Sequence, residues 1–267
     1  MKHVKRYRDL FEAQTPLTPE QKDWLDKCSF GKWRVNPQTG LVDVDTSFKC
    51  SLQGPIGFNG VKFGHVGKNF DCSESGLTSL DGAPKSVGGN FDCYINSLTS
   101  LEGAPRSVGG RFDCSENYLT SLEGAPQSVG GIFNCSDNSL TSLKGAPQHV
   151  DVHFICDYNN LTSLEGAPQN VGRDFYCSNN SLTSLEGAPQ SAGESFYFSN
   201  NPISAETIIE VLEMMRDKKI SLEQAVDDLW NDIPEEDRIY LAKHNQDLSP
   251  EEKRGYTALE RFKNKVI

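Results

Sequence analysis

The sequence predicts a solenoid of parallel β-strands with helix-poor return arms, a helical cap at the N-terminal end and a helical segment at the C-terminal end. Three observations predict it. A near-identical unit recurs every 21 residues through the middle of the chain, and such self-similarity is the signature of stacked repeats. Within each unit Phe and Cys flank a single residue, as in Phe91-Asp92-Cys93, which puts both on one face of a strand. The periodic recurrence of glycine and of Phe-Cys stops near Ser204, where helical spacing begins. The chain therefore divides into 1–50, 51–203 and 204–267.

In chain order, Thr18 opens a helix. Pro19 suits the first helical position, where its missing N–H costs nothing, and Gln21 completes a capping box with Thr18. Trp24, Leu25 and Cys28 on that helix are expected to cover the open end of the stack, because a terminal repeat otherwise exposes its core. Val42, Val44, Phe48 and Cys50 then alternate as an irregular first strand, with Phe48 and Cys50 standing 22 residues before Phe70 and Cys72.

The repeat follows V-G-G-x-F-D-C-S-x-N-x-L-T-S-L-E-G-A-P-x-S, starting at Val87, Val108, Val129, Val150 and Val171 with modest substitutions. The tetrad Leu-Thr-Ser-Leu begins at Leu77, Leu98, Leu119, Leu140, Leu161 and Leu182, and a degraded copy ends at Ile203. Phe and Cys face inward. Asn96, Asn117, Asn138, Asn159, Asn180 and Asn201 fall where the chain leaves the strand, and stacked there they form an asparagine ladder that satisfies turn backbone groups. Leu-x-x-Leu turns two more side chains inward. Gly-Ala-Pro keeps the return arm extended, since the residue before proline avoids the helical region. Strands about 4.8 Å apart would carry the stack from Phe70 to Phe196 over roughly 30 Å.

The string F-x-C-x-x-N-x-L-T-S-L followed by proline resembles the short bacterial type of leucine-rich repeat, known from effector proteins of enteric pathogens. It is also similar to repeat proteins encoded by tailed bacteriophages, in which the lead-in TPEQKDWLDKC…GKWRVNPQTGLVDVDTSFKC looks like an N-terminal cap. The resemblance covers roughly residues 18–203 and implies a leucine-rich-repeat-like solenoid used as a protein-binding scaffold. Effectors of the ubiquitin-ligase kind carry a C-terminal domain with a catalytic cysteine. This chain has no cysteine after Cys177, which argues against that activity.

Beyond Ser204, Ile208, Ile209, Val211, Leu212 and Met215 recur at helical spacing, Ser221 with Gln224 and Ser249 with Glu252 form capping boxes, and Pro234 opens a further helix. Three or four helices are expected. Leu222, Val226, Leu229 and Trp230 with Ile239, Tyr256, Leu259 and Phe262 read as a small packed core rather than a partner groove.

Composition narrows the function. The formal net charge is −11, which disfavours the phosphate-neutralising surface of a nucleic-acid binder. The middle segment is acidic: residues 41–202 carry eight Lys/Arg against seventeen Asp/Glu. There is no apolar run of membrane-spanning length and no apolar stretch of signal-peptide kind in MKHVKRYRDLFEAQ, so the cytoplasm is the expected location, that of the host cell if the chain is phage-encoded. The eight cysteines are expected to be reduced core thiols, since six recur with the repeat and none resembles a loop staple.

The residues that should point outward supply the candidate site. Between Phe and Cys the column reads Asp71, Asp92, Asp113, Asn134, Ile155, Tyr176 and Tyr197. The column before Phe includes Arg111, Ile132 and His153, and the one two residues after Cys includes Glu116 and Tyr158. Stacked aspartates repel. They form either a solvated face or a docking surface for a basic protein partner, a bacterial host protein if the phage resemblance holds, with Ile132, Ile155, Tyr158, Tyr176 and Tyr197 as its apolar anchor. Calcium is disfavoured because neither EF-hand nor β-roll spacing is present. His149, Asp151, His153 and Cys156 have metal-ligand types, but Cys156 belongs to the core and His153 to the opposite strand face, so no metal site is expected. No catalytic constellation, P-loop or nucleophile elbow occurs, and no cofactor is expected. The reading is a non-catalytic binding scaffold. Its alternative is an enzyme or nucleotide-handling factor with a site in the C-terminal helices around Trp230, Asp237 and His244.

Overall fold

The computed structural model describes residues 16–29, 31–49, 57–189, 191–193 and 195–203. Cys50 and the helices expected over 204–267, with Trp230, Asp237 and His244, lie outside the described residues.

The repeats wind into a parallel-strand β-solenoid of about seven turns. From Ser86 onward each coil contributes two strands of two residues. In one coil these are Ser86–Val87 and Phe91–Asp92. The first set builds a nine-stranded sheet and the second an eight-stranded sheet. Pairing is parallel and in register, so Ser86 lies beside Ser107 and Phe91 beside Phe112. Two pairs depart from this: Trp33–Val35 runs antiparallel to Val42–Val44 at the start of the first sheet, and the register between Val42–Val44 and Phe63–Val66 shifts, with Val42 beside Phe63 but Val44 beside Val66.

The sequence predicts one strand per coil, and the structure has two. The expected single lead-in strand is likewise split, with Val42–Val44 in the first sheet and Phe48–Lys49 in the second. The dividing element is a Gly-Gly pair between Val and Phe in the coils that start at Val87, Val108 and Val129, and Asp151-Val152 in the next. A Cβ built on Gly109 would lie 2.3 Å from the carbonyl oxygen of Gly88, far inside van der Waals contact, so the missing side chains let these coils stack closely.

Both sheets share one core. Phe48, Phe70, Phe91, Phe112, Phe133, Phe154, Phe175 and Phe196 are fully buried. Their rings stack nearly parallel along the axis, with centroids 4.9 to 5.6 Å apart. Each such burial contributes about 2–3 kcal/mol. Cys72, Cys93, Cys114, Cys135, Cys156 and Cys177 form the neighbouring column, also fully buried. The cysteines of the described residues form no disulfide. Burial pushes the thiols of Cys93, Cys114, Cys135, Cys156 and Cys177 well above their ordinary range, which keeps them protonated and unreactive.

The asparagine ladder closes the turn after the second strand. Asn117 accepts a hydrogen bond from the Leu98 N–H at 2.9 Å and donates to the carbonyls of Cys93, Cys114 and Ser115 at 3.1, 3.2 and 3.0 Å. Asn96, Asn138, Asn159 and Asn180 repeat the arrangement.

Helix Pro19–Ser29 lies against the first coils. Its capping box forms as the sequence predicts: the Thr18 N–H donates to Gln21 Oε1 at 2.9 Å and the Gln21 N–H to Thr18 Oγ1 at 3.2 Å. Leu25 is fully buried, and the Trp24 ring meets Phe48 edge-on at 5.2 Å. Among the described residues no helix is long and apolar enough to cross a membrane.

Candidate protein-binding face

The second sheet sets the candidate residues in one register. Asp71, Asp92, Asp113, Asn134, Ile155, Tyr176 and Tyr197 each pair with the next along the stack. The column is continuous, as the alternation of Phe and Cys requires.

Its two halves differ in exposure. The aspartates are not the solvated row that outward pointing implies: Asp92 and Asp113 are buried, at 8% and 6% exposure, and Asp71 is half-buried. Cations cover them, Arg111 from the column before Phe and Lys49 from the same column one coil earlier. Arg111 lies 2.8 Å from Asp92 and 3.7 Å from Asp113, and Lys49 reaches Asp71 at 2.8 Å. Serines complete the shell, with Ser73 donating to Asp71 and Ser115 to Asp113 through both backbone N–H and hydroxyl. Burial raises the Asp92 carboxyl above its ordinary value even against the opposing pull of Arg111. The Asp71 carboxyl, also opposed by burial, is held lower by Lys49 and Ser73. The like-charge repulsion expected of the stack is thus offset within the fold.

The other half is apolar and accessible. Ile132, Ile155, Tyr176 and Tyr197 are partly exposed. Tyr176 and Tyr197 stack with ring centroids 4.5 Å apart and planes 5° from parallel. Asp174, at 7% exposure, ties the group together: the Tyr176 hydroxyl donates to it at 3.2 Å and His153 Nδ1 lies 3.0 Å from its carboxylate. Burial, with Asp174 beside it, pushes the Tyr176 hydroxyl above its ordinary range, so it stays a donor. Next to this group Asp157 accepts from the Ser178 N–H at 2.6 Å, and burial raises its carboxyl to about 6.

Glu116 and Tyr158 are exposed but stand at a corner beyond the strand, where both adopt φ near +50°, at +52° and +53°. Ile95, of the same column, is at φ +50° and 42% exposed. The sequence reading did not single out Ile95 or the 63%-exposed Tyr118. The Asn and Asp at matching positions, Asp137, Asn179 and Asn200, are the residue types that favour left-handed backbone and were the available signal.

The first sheet bears a shallow groove of about 500 Å³ lined by His65, Ser86, Ser107, Ser128, His149 and Asp151 over the glycine row. His149 lies on this sheet, His153 beside the other, and Cys156 in the core. Among the described residues no three His, Cys, Asp or Glu side chains assemble to hold a metal ion. No family model, curated protein or solved structure matches the chain.

Proposed function

We propose that the chain is a non-catalytic protein-binding scaffold of the leucine-rich-repeat kind, with helical caps, that captures its partner on the outward face of the second sheet. The observation that carries the reading is the row of Ile155, Tyr176 and Tyr197, in register, partly exposed and braced from below by Asp174. Rigid aromatic rings lose little entropy on docking and dominate binding hot spots. Ile132 and His153 extend the contact at the strand and Tyr158 at the corner. The buried aspartates Asp92 and Asp113 set the position of Arg111 rather than presenting negative charge directly.

The partner we propose is a basic protein of a bacterial host, met in the cytoplasm by a phage-encoded chain. That assignment rests on the repeat string F-x-C-x-x-N-x-L-T-S-L and on the acidic balance of residues 41–202. A pull-down from bacterial lysate tests the face when wild type is compared with a variant in which Tyr158, Tyr176 and Tyr197 are all alanine. A protein retained by wild type, lost from the variant and rebound when purified supports the reading. Identical profiles for the two baits would overturn it.

A further inference from the structure

A second docking edge is built into the corner that follows each strand of the second sheet. In successive coils the corner residues are Glu74, Ile95, Glu116, Asp137 and Tyr158, all exposed and all at φ between 50° and 53°. Left-handed backbone suits Asn, Asp and Gly and penalises a β-branched side chain. Ile95 therefore sits where its own conformation opposes folding, and at 42% exposure its burial repays little; Tyr158 is 58% exposed. Strain kept at an exposed position motivates a functional role.

The spacing says what fits. Coils rise by about 4.8 Å each, so Ile95 and Tyr158, three coils apart, stand about 14 Å apart along the edge. Glu116 and Asp137 fill the interval. An extended peptide advances about 3.3 Å per residue and presents residues i, i+2 and i+4 on one side, over about 13 Å. Its first and last side chains meet Ile95 and Tyr158, and its central one faces the two carboxylates.

We infer that this edge binds an extended segment of a partner protein with the pattern apolar-x-basic-x-apolar, the basic residue seated between Glu116 and Asp137. A second copy of this chain is a poor occupant, since the net charge of −11 sets copies against each other. The inference rests on the reading of the chain as a binder but not on the aromatic row of the sheet face.

The test uses the full chain and a synthetic peptide with the core Leu-Ser-Arg-Ser-Leu, followed by NMR of the backbone amides of residues 94–96, 115–117 and 136–138, which wild type and variants share. The expected result is saturable shifts, with binding weakened about tenfold or more, equivalent to about 1.4 kcal/mol, when the peptide arginine is Glu and again in the I95N/Y158N variant. Asn tolerates left-handed backbone, so this variant keeps the fold and melts at a higher temperature. The Y176A/Y197A variant binds the peptide as wild type does. Absence of saturable shifts up to about 1 mM peptide, or equal binding by I95N/Y158N, overturns the edge. Loss of binding only in Y176A/Y197A moves the site to the sheet face, defeating this inference while leaving the proposed function intact.

Discussion

Asn117 uses both ends of its side-chain amide to close a buried turn, so its loss strands one N–H and weakens three carbonyls. Asn117→Ala should cost about 2–3 kcal/mol, the range for buried groups left unsatisfied, measured as a shift in urea midpoint. Arg111→Ala leaves Asp92 and Asp113 buried without their cation. Because the Arg111 side chain is 40% exposed, solvent tempers the loss to about 2 kcal/mol, and adding Asp92→Asn should recover part of it. Asp157 responds to pH. Its carboxyl rises from 3.8 to about 6 on folding, first through burial and then through Asp137. A folded value above the unfolded one stabilises fully below 3.8 and loses that contribution as pH climbs through about 6. The melting temperature of Asp157→Asn relative to wild type should therefore rise between pH 4 and pH 8, and a difference independent of pH would contradict this assignment.

At the scale of the element, two glycines and two strands make the coil. A methyl at Gly109 would press within 2.3 Å of the Gly88 carbonyl oxygen unless these two coils part locally. Gly109→Ala should destabilise by about 3 kcal/mol, in the range of overpacked cores, whereas Ser107→Ala on the same sheet should change little; equal effects would contradict the packing account. The sequence made the second sheet legible because Phe and Cys alternate over enough residues to declare an inward face. It left the first sheet hidden, since Ser86–Val87 offers a single inward side chain followed by two glycines, with no alternation to read. The candidate face was legible as a register but not as a surface. Alternation said that Asp92 and Asp113 point away from the core, while their burial depends on Arg111, whose side chain crosses between coils. The left-handed corner was likewise obscured, because Ile95 and Tyr158 are residue types that disguise it.

At the scale of the molecule, each coil touches chiefly its neighbours, so stability should be close to a sum over coils and interfaces. Excising residues 118–138 removes one complete 21-residue unit and rejoins Asn117 to Ser139 in register. The shortened chain should keep its β circular-dichroism spectrum and unfold with a urea dependence reduced in proportion to the surface lost. Collapse of the fold would show that the coils are not interchangeable. The same additivity lets one end of the stack carry a neutralised acidic row and the other an aromatic one without conflict, since neither alters the core beneath. The central claim is that the aromatic half of the second sheet is where a partner docks. Hydrogen exchange of the chain with and without its retained partner tests it most directly: protection concentrated at residues 153–158, 174–178 and 195–199 is the predicted result, and protection confined to the first sheet around Ser107 and Ser128 would contradict it.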